Sequence, residues 1–535
     1  MTDKTAKDLE QNWMTPWEKW ALGELFETGE VDMSEVPAEH RGKTDVEKSA
    51  VSAALIQPAN GDKNAPPESV AEEDWPAWQI LSARFIEYVC TDKAFIDARR
   101  RNRVHIFSSR ITEKIDLGGL HLPGELALDD CRIDARLNLH NTEITGFFSL
   151  QTSHCPQGLY AQGLRTTGHV FLRGGASFEG TVNFAGADIG DQFNCSGSSF
   201  KSGDGQYAVI AYSLKTGSYV FLSIGASFVG EVDLNSADIG AGLQLWGSSF
   251  ESEINFASAV IENDMLMDET KLGMPAPNWG DGASLNLQNA RIGALQGSFE
   301  AWTRQSDGNL VPRNLDGLTF TRLAGGAGGT SLDQASTKDL RRWLSENVTH
   351  NRDGENAFTP SPYLAMASAL KATGEDDKAR NILIALEKRR TRAMRFGSWS
   401  GMQKLFRILW LGPMTGYGYA SGRGAFILAG MIIFFAVLGL NAELHKVSSL
   451  NSNDITWAEH WRAWLGFSFE MALPLADLDP VNDTFLEDRF TADSEYTSLP
   501  SGLRALFMTE RFLGLAILAT LIAGLTGWAE RRGES

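Results

Sequence analysis

Cysteine is scarce in this chain: four in 535 residues, at Cys90, Cys131, Cys155 and Cys195. None belongs to a C-x-x-C pair, which argues against a disulfide framework or a cysteine-based zinc site and leaves four reduced, buried thiols as the expectation. Histidine is nearly as thin, with nine residues, and His154–Cys155 is the one close His/Cys pair. No metal site is expected from so few ligands. The motifs of common enzyme classes are missing as well. There is no G-x-S-x-G, no H-E-x-x-H, no G-x-x-x-x-G-K-[ST], and no G-x-G-x-x-G between a strand and a helix. The glycine clusters Gly325–Gly329 and Gly416–Gly424 read as a flexible loop and a membrane-interface turn. No catalytic residue and no cofactor is expected, so the chain reads as non-enzymatic. A basic face is lacking too. Net charge is −19, and residues 104–300 carry 22 Asp/Glu against 10 Lys/Arg, which argues against binding a nucleic-acid backbone. A slender acidic rod imitating a duplex stays as a lesser alternative.

What the chain does have is two long charge-free runs near its end. Gly424 to Ala442 runs 19 residues without charge and Phe512 to Ala529 runs 18. A helix needs roughly 17–25 mostly apolar residues to cross a bilayer core, so spans are expected at about 424–442 and 507–529. Lys388, Arg389, Arg390, Arg392 and Arg395 precede the first span and Arg531 and Arg532 follow the second, while 443–506 between them is acid-rich. Positive residues stay on the cytoplasmic side. The Met1 end, MTDKTAKDLEQNW, has no apolar h-region. Both termini and the bulk of the chain are therefore expected inside the cytoplasmic (inner) membrane, with 443–506 outside. The basic cluster would lie against anionic headgroups, worth about 1 kcal/mol per residue near the surface.

Repeats organise the middle. Gly168 to Phe200 and Gly217 to Phe250 align with a step of 50 residues: Phe178 on Phe228, Ile189 on Ile239 and Phe200 on Phe250. Within each block these residues are 11 apart. Short alternations such as VNF, VDL and LQL, cut by Gly, Ser, Asn and Asp, read as very short strands between tight turns. Two 11-residue units make a coil of about 22 residues, in which Phe178, Ile189, Phe200, Phe228, Ile239 and Phe250 stack inward from coil to coil. Weaker copies lie at Ile115–Ile144 and Ile254–Met267. The expected class is mainly β: a right-handed β-helix over about 104–300, with flanking helices and a two-helix transmembrane hairpin at the C-terminus.

These blocks, the segment Pro362 to Arg390 and the aromatic-glycine stretch Gly416 to Gly424 together resemble bacterial pentapeptide-repeat-like membrane proteins. The resemblance implies a helical N-terminal segment, a β-helix, a helical coupling segment and a C-terminal transmembrane pair. Members are sometimes labelled membrane-associated oxidoreductases, and that label stands as a weaker alternative on the resemblance alone. The chain is accordingly divided into 1–103 (a docking helix within 1–35, a linker over about 36–74, and a capping helix at Trp78–Ala94 with Leu81, Phe85, Tyr88 and Val89 on one face), 104–300, 301–410 and 411–535. Within 301–410, Leu364 to Arg389 resembles part of one tetratricopeptide unit, with Ala367, Leu370, Gly374, Ala379 and Leu383 in place.

Between the spans, Trp457, Trp461, Trp464, Leu465, Ser468, Phe469 and Ala472 fall on one helical face, followed by Leu473, Pro474 and Leu475. One reading is an interfacial helix held by tryptophans; the other is a re-entrant pore helix between two spans. The leading expectation is a membrane-tethered scaffold or sensor that binds the lipid membrane and an unidentified protein partner. The alternative is an oligomeric, channel-like pore gated by the β-helix.

Overall fold

The computed structural model describes residues 4–41, 75–203, 206–268, 273, 275–303, 308–324, 332, 334–345, 359–393, 403–417, 419, 422–447, 457–473 and 501–533. Most of the expected linker, Gly325–Gly329, Arg395, Pro474 and Leu475 lie outside the described residues. Two compact units are formed, Met1–Ala379 and Arg380–Ser535.

In the first unit the α-helices are α1 (Ala6–Leu9), α2 (Pro16–Glu27), α3 (Ala83–Thr91), α4 (Lys93–Ala98), α5 (Thr337–Ser345) and α6 (Ser361–Ala372). Between α4 and α5 the chain makes short strands that, together with Glu30–Asp32 ahead of α3, join into sheets of 17, 8 and 9 strands. Among the described residues the strand pairings are parallel, and each strand pairs with one a circuit later. Phe148 pairs with Val170, Cys155 with Phe178, Leu159 with Val182, and Thr166 with Ile189, all offset by 22 or 23 residues. Some later circuits are longer: Phe250 pairs with Trp279, 29 residues on, and Phe200 with Phe228, 28 on. The extra length after Phe200 is why the repeat recurs at 50 residues rather than at twice 22. The strands continue to Thr319–Ala324, beyond 300, and Glu30–Asp32 adds a further parallel strand beside Arg103–Phe107.

Strands this short persist because each circuit turns at fixed corners. At one corner a residue with positive φ recurs once per circuit: Gly119, Asn141, Gly163, Gly186, Ser213, Ser236, Ser258, Asn289 and Gly317. Three residues earlier an Asp or Asn side chain usually caps the corner. Asn183, Asp233, Asn255, Asn286 and Asn314 each accept a hydrogen bond from the amide two residues on, at 2.9–3.1 Å. This is the Asx-turn chemistry that makes these residues good at bends.

Inward-facing residues form four columns. One runs Cys155, Phe178, Phe200, Phe228, Phe250 and Trp279, with successive ring centroids from Phe178 onward 5.0–5.4 Å apart. Ile189 and Ile239 belong to a different column, separated by Thr216. Thr166 and Thr216 also point inward, and their hydroxyls donate to the Gly168 and Ser218 carbonyls, so neither of these two buried hydroxyls is left unpaired. All six of the expected stacking residues are buried. Outside, one column alternates in charge from Glu143 through Arg165, Asp188 and Lys215 to Asp238. Arg165 meets Glu143 at 2.8 Å. Opposite charges across neighbouring strands favour this register over a slipped one.

Both open ends are covered. At the first, the buried Glu18 of α2 accepts from the Ser82 amide and hydroxyl that begin α3 and from the Thr15 amide, and Phe85 and Val89 of α3 are sealed. At the other, Leu340, Trp343 and Leu344 of α5 are buried, and Trp302 and Trp343 meet edge to face at 5.2 Å. Arg313 enters an inward column here, pairing in register with Leu285, and donates to the Val311 carbonyl. Caps of this kind keep the terminal strands from pairing with another chain.

Candidate membrane site

The second unit contains the rest of α7 (Asp376–Ala393), then α8 (Gly412–Thr415), α9 (Gly422–Val447), α10 (Trp457–Ala472) and α11 (Ser501–Gly533). Among the described residues two helices are long and apolar enough to span a membrane, over Gly422–Asn441 and Ala505–Ala523. Their outward sides are apolar: Phe426, Ile433, Phe434 and Val437 on α9, and Met508, Phe512, Leu515 and Ile522 on α11. Phe426 and Phe512 are 82% and 74% exposed, an arrangement that water penalises and a lipid surface does not. A π-helical turn, Arg407–Leu411, precedes α8 and exposes Ile408 and Leu409. The Trp410 indole donates to the Thr520 hydroxyl at 3.0 Å.

Helix α10 packs against both long helices. Its buried residues are Trp464, Phe467, Ser468 and Ala472, with Trp461, Leu465 and Leu473 half-buried. Phe469, expected on the packed face, is instead 36% exposed, and Phe467 takes the packed position. The reason is angular: Phe467 follows Trp464 by three residues and lies between the two long helices, whereas Phe469 turns outward. The Trp457 side chain lies outside the described set.

The contacts of α10 change level along its length. Trp464 clusters with Phe435, Leu440 and Phe507, and a Cβ on Gly439 would collide with its ring. Gly439 and Phe507 are each two residues from the end of an apolar window, at Asn441 and Ala505. Ala472 clusters with Leu428, Ile432 and Ile517, and a Cβ on Gly514 would collide with the Ala472 carbonyl. Ile432 and Gly514 each lie nine residues in from the same two ends, about 14 Å along a helix. From Trp464 to Ala472 is eight residues, or about 12 Å. Helix α10 therefore runs alongside the long helices rather than across their ends.

Of the basic cluster, Lys388, Arg390 and Arg392 are exposed on α7 and Arg389 is half-buried. Glu387 on the same helix pairs with Arg407, whose Nε also donates to the Thr391 hydroxyl at 3.1 Å.

One buried residue was not singled out from sequence. Glu510 of α11 is fully buried, and among the described residues neither carboxylate oxygen has a hydrogen-bond partner. The equally buried Ser468 hydroxyl is a polar neighbour on α10. The signal was one acid inside the expected span 507–529, just ahead of the charge-free run that begins at Phe512; reading that run alone passes over it. Among the described residues no group of His, Cys, Asp and Glu could hold a metal. The chain matches no family model, and neither a curated protein nor a solved structure is similar to it.

Proposed function

We propose that this chain is a multi-pass protein of the cytoplasmic (inner) membrane in which a cytoplasmic right-handed β-helix, of the pentapeptide-repeat-like kind, is joined to a span, a re-entrant helix and a second span. Copies of that unit assemble around a pore, and the β-helix gates it. No catalytic step and no cofactor is invoked. The observation that carries the reading is the seat of Ala472 against Gly514, nine residues from the window end. A helix lying flat at the headgroups would touch the long helices only near their ends. A helix that descends about half of a core roughly 30 Å thick is what a span–pore helix–span plan requires. One such unit cannot enclose a water path alone, so the pore implies an oligomer.

The basic residues around Lys388–Arg392 and the acid-rich segment after α10 set the orientation, with both termini inside. The second reading, a tether for a scaffold or sensor, is favoured by the long capped rod, since rods of this kind offer extended binding faces. Reconstitution of the full-length protein in planar bilayers separates the two. The pore reading expects discrete currents whose ion preference changes in Leu473→Asp, because a ring of charge at the deep end of α10 acts on passing ions. A protein that is monomeric in detergent and passes no current over a wide voltage range overturns the pore and leaves the tether.

A further inference from the structure

The packed side of α11 is formed by Phe507, Glu510, Gly514 and Ile517, at the three- and four-residue spacings of one helical face. Phe507, Gly514 and Ile517 are what close helix packing calls for. Glu510 is not. It lies five residues inside the apolar window that begins at Ala505, about 7 Å along the helix, and is 0% exposed. Ionised, its carboxylate would have lost its water with, among the described residues, only the Ser468 hydroxyl beside it.

Among the described residues the surrounding charges do not supply a partner; the Glu443 and Arg504 side chains lie outside them. Helix α9 carries no charged residue from Gly424 to Asn441. On α10, Arg462 is exposed and Glu470 half-buried; on α11 itself, Arg511 is exposed. The side chains of Glu459 and His460 lie outside the described set. Intramembrane acids of this kind mark proton or ion sites more often than they serve packing.

We propose that Glu510, with the Ser468 hydroxyl beside it, is a proton-binding site in the seam between α10 and α11. With the proton bound, the carboxyl is neutral and the seam closes over it. When the proton leaves to water, the carboxylate must be hydrated, and the seam opens at Ser468 to admit that water. The sign follows from this: acidic conditions hold α10 against α11, and rising pH releases it. Only the packing of α10 on α11 is required, so a silent bilayer would overturn the pore and leave this site standing.

The test uses full-length protein in phosphatidylcholine vesicles, with glutamate carboxyls isotope-labelled and followed by infrared spectroscopy as pH is stepped. Ordinary glutamates are ionised at about pH 7, so a protonated glutamate band surviving there stands apart. The expected result is one such band, lost as pH rises further and absent from Glu510→Gln. The same variant is expected to lose the fall in melting temperature that the natural protein shows from about pH 4, where the unfolded glutamate ionises, up to the pH at which the band is lost. Absence of a protonated glutamate in the natural protein at neutral pH overturns the proposal whether or not the variant folds. A band that persists in Glu510→Gln overturns it as well.

Discussion

Replacing Phe228 by alanine tests the inner aromatic column where it is most heavily used. Phe228 is fully buried, with Phe200 at 5.0 Å and 5° on one side and Phe250 at 5.1 Å and 8° on the other. Burial alone sets the cost of Phe→Ala at about 3–5 kcal/mol. Backbone hydrogen bonds to the neighbouring circuits hold the walls of the cavity, so little collapse is available and the upper half of that range is expected. Phe178 provides an internal control. It is equally buried but has a ring on one side only, since Cys155 precedes it in register. An aromatic pair contributes about 0.5–1.5 kcal/mol beyond area. Phe178→Ala should therefore cost about 1 kcal/mol less than Phe228→Ala. Urea unfolding of the full-length protein in detergent, followed by β-type circular dichroism, reads both values. Phe228→Asp goes further, because an unpaired buried carboxylate adds several kcal/mol, and this variant should not fold. A Phe228→Ala cost under about 1 kcal/mol, outside the range for a sealed core site, would refute the sealed column. Equal costs for the two alanine variants would refute the ring-on-ring contribution.

Two further outcomes follow from local geometry. Ile224 holds φ +56° at an exposed corner, a conformation that penalises a β-branched residue, so Ile224→Asn should stabilise the fold by about 1 kcal/mol; a loss of stability in the same urea assay would contradict it. The four thiols are buried, and burial pushes Cys90 and Cys131 up to about 12 and raises Cys155 and Cys195 as well. Below about pH 8 the thiols are neutral in the folded and unfolded chain alike and add no pH dependence. Above that the unfolded chain ionises first, so the thiols erode stability as pH climbs toward 12. Maleimide labelling should track unfolding, and rapid labelling of the folded protein would contradict the burial.

The 11-residue spacing of Phe178, Ile189 and Phe200 is visible in the sequence because inward positions admit little but apolar side chains. The corners were harder to read. Their pattern is an Asp or Asn with a Gly, Asn or Ser three residues on, as in Asn183 with Gly186, Asp233 with Ser236 and Asn286 with Asn289. Extra residues after Phe200 and again before Trp279 break its period, and a corner tolerates several residue types where a core tolerates few. The end of the strands at Ala324 was missed for the same reason, since Arg313 replaces an aliphatic residue in its column. On α10, the stripe of Trp461, Trp464 and Ser468 fits a helix lying flat and a helix that descends equally well. Periodicity reports which face is packed and is silent about depth. Phe467 and Phe469 lie on opposite margins of that stripe, and only the neighbouring helices choose between them.

Under the proposed topology the C-terminal end of α10 brings a requirement that a flat helix would not have. The last four carbonyls of a helix lack partners within it, and in hydrocarbon each one left bare costs several kcal/mol. Beyond Ala472 the Leu473 amide reaches back to the Phe469 carbonyl at 2.9 Å, which satisfies one of them. The Ala472 carbonyl lies where a side chain on Gly514 would collide with it, so the absence of a Cβ on α11 is what lets the two backbones close there. Gly439 does the same for the Trp464 ring at the shallow end. Two glycines on two different helices thus make room for one short helix at two depths. Under the proposed topology the remaining carbonyls at the end of α10 must meet water or a second copy of the chain, and a water-lined oligomer provides both.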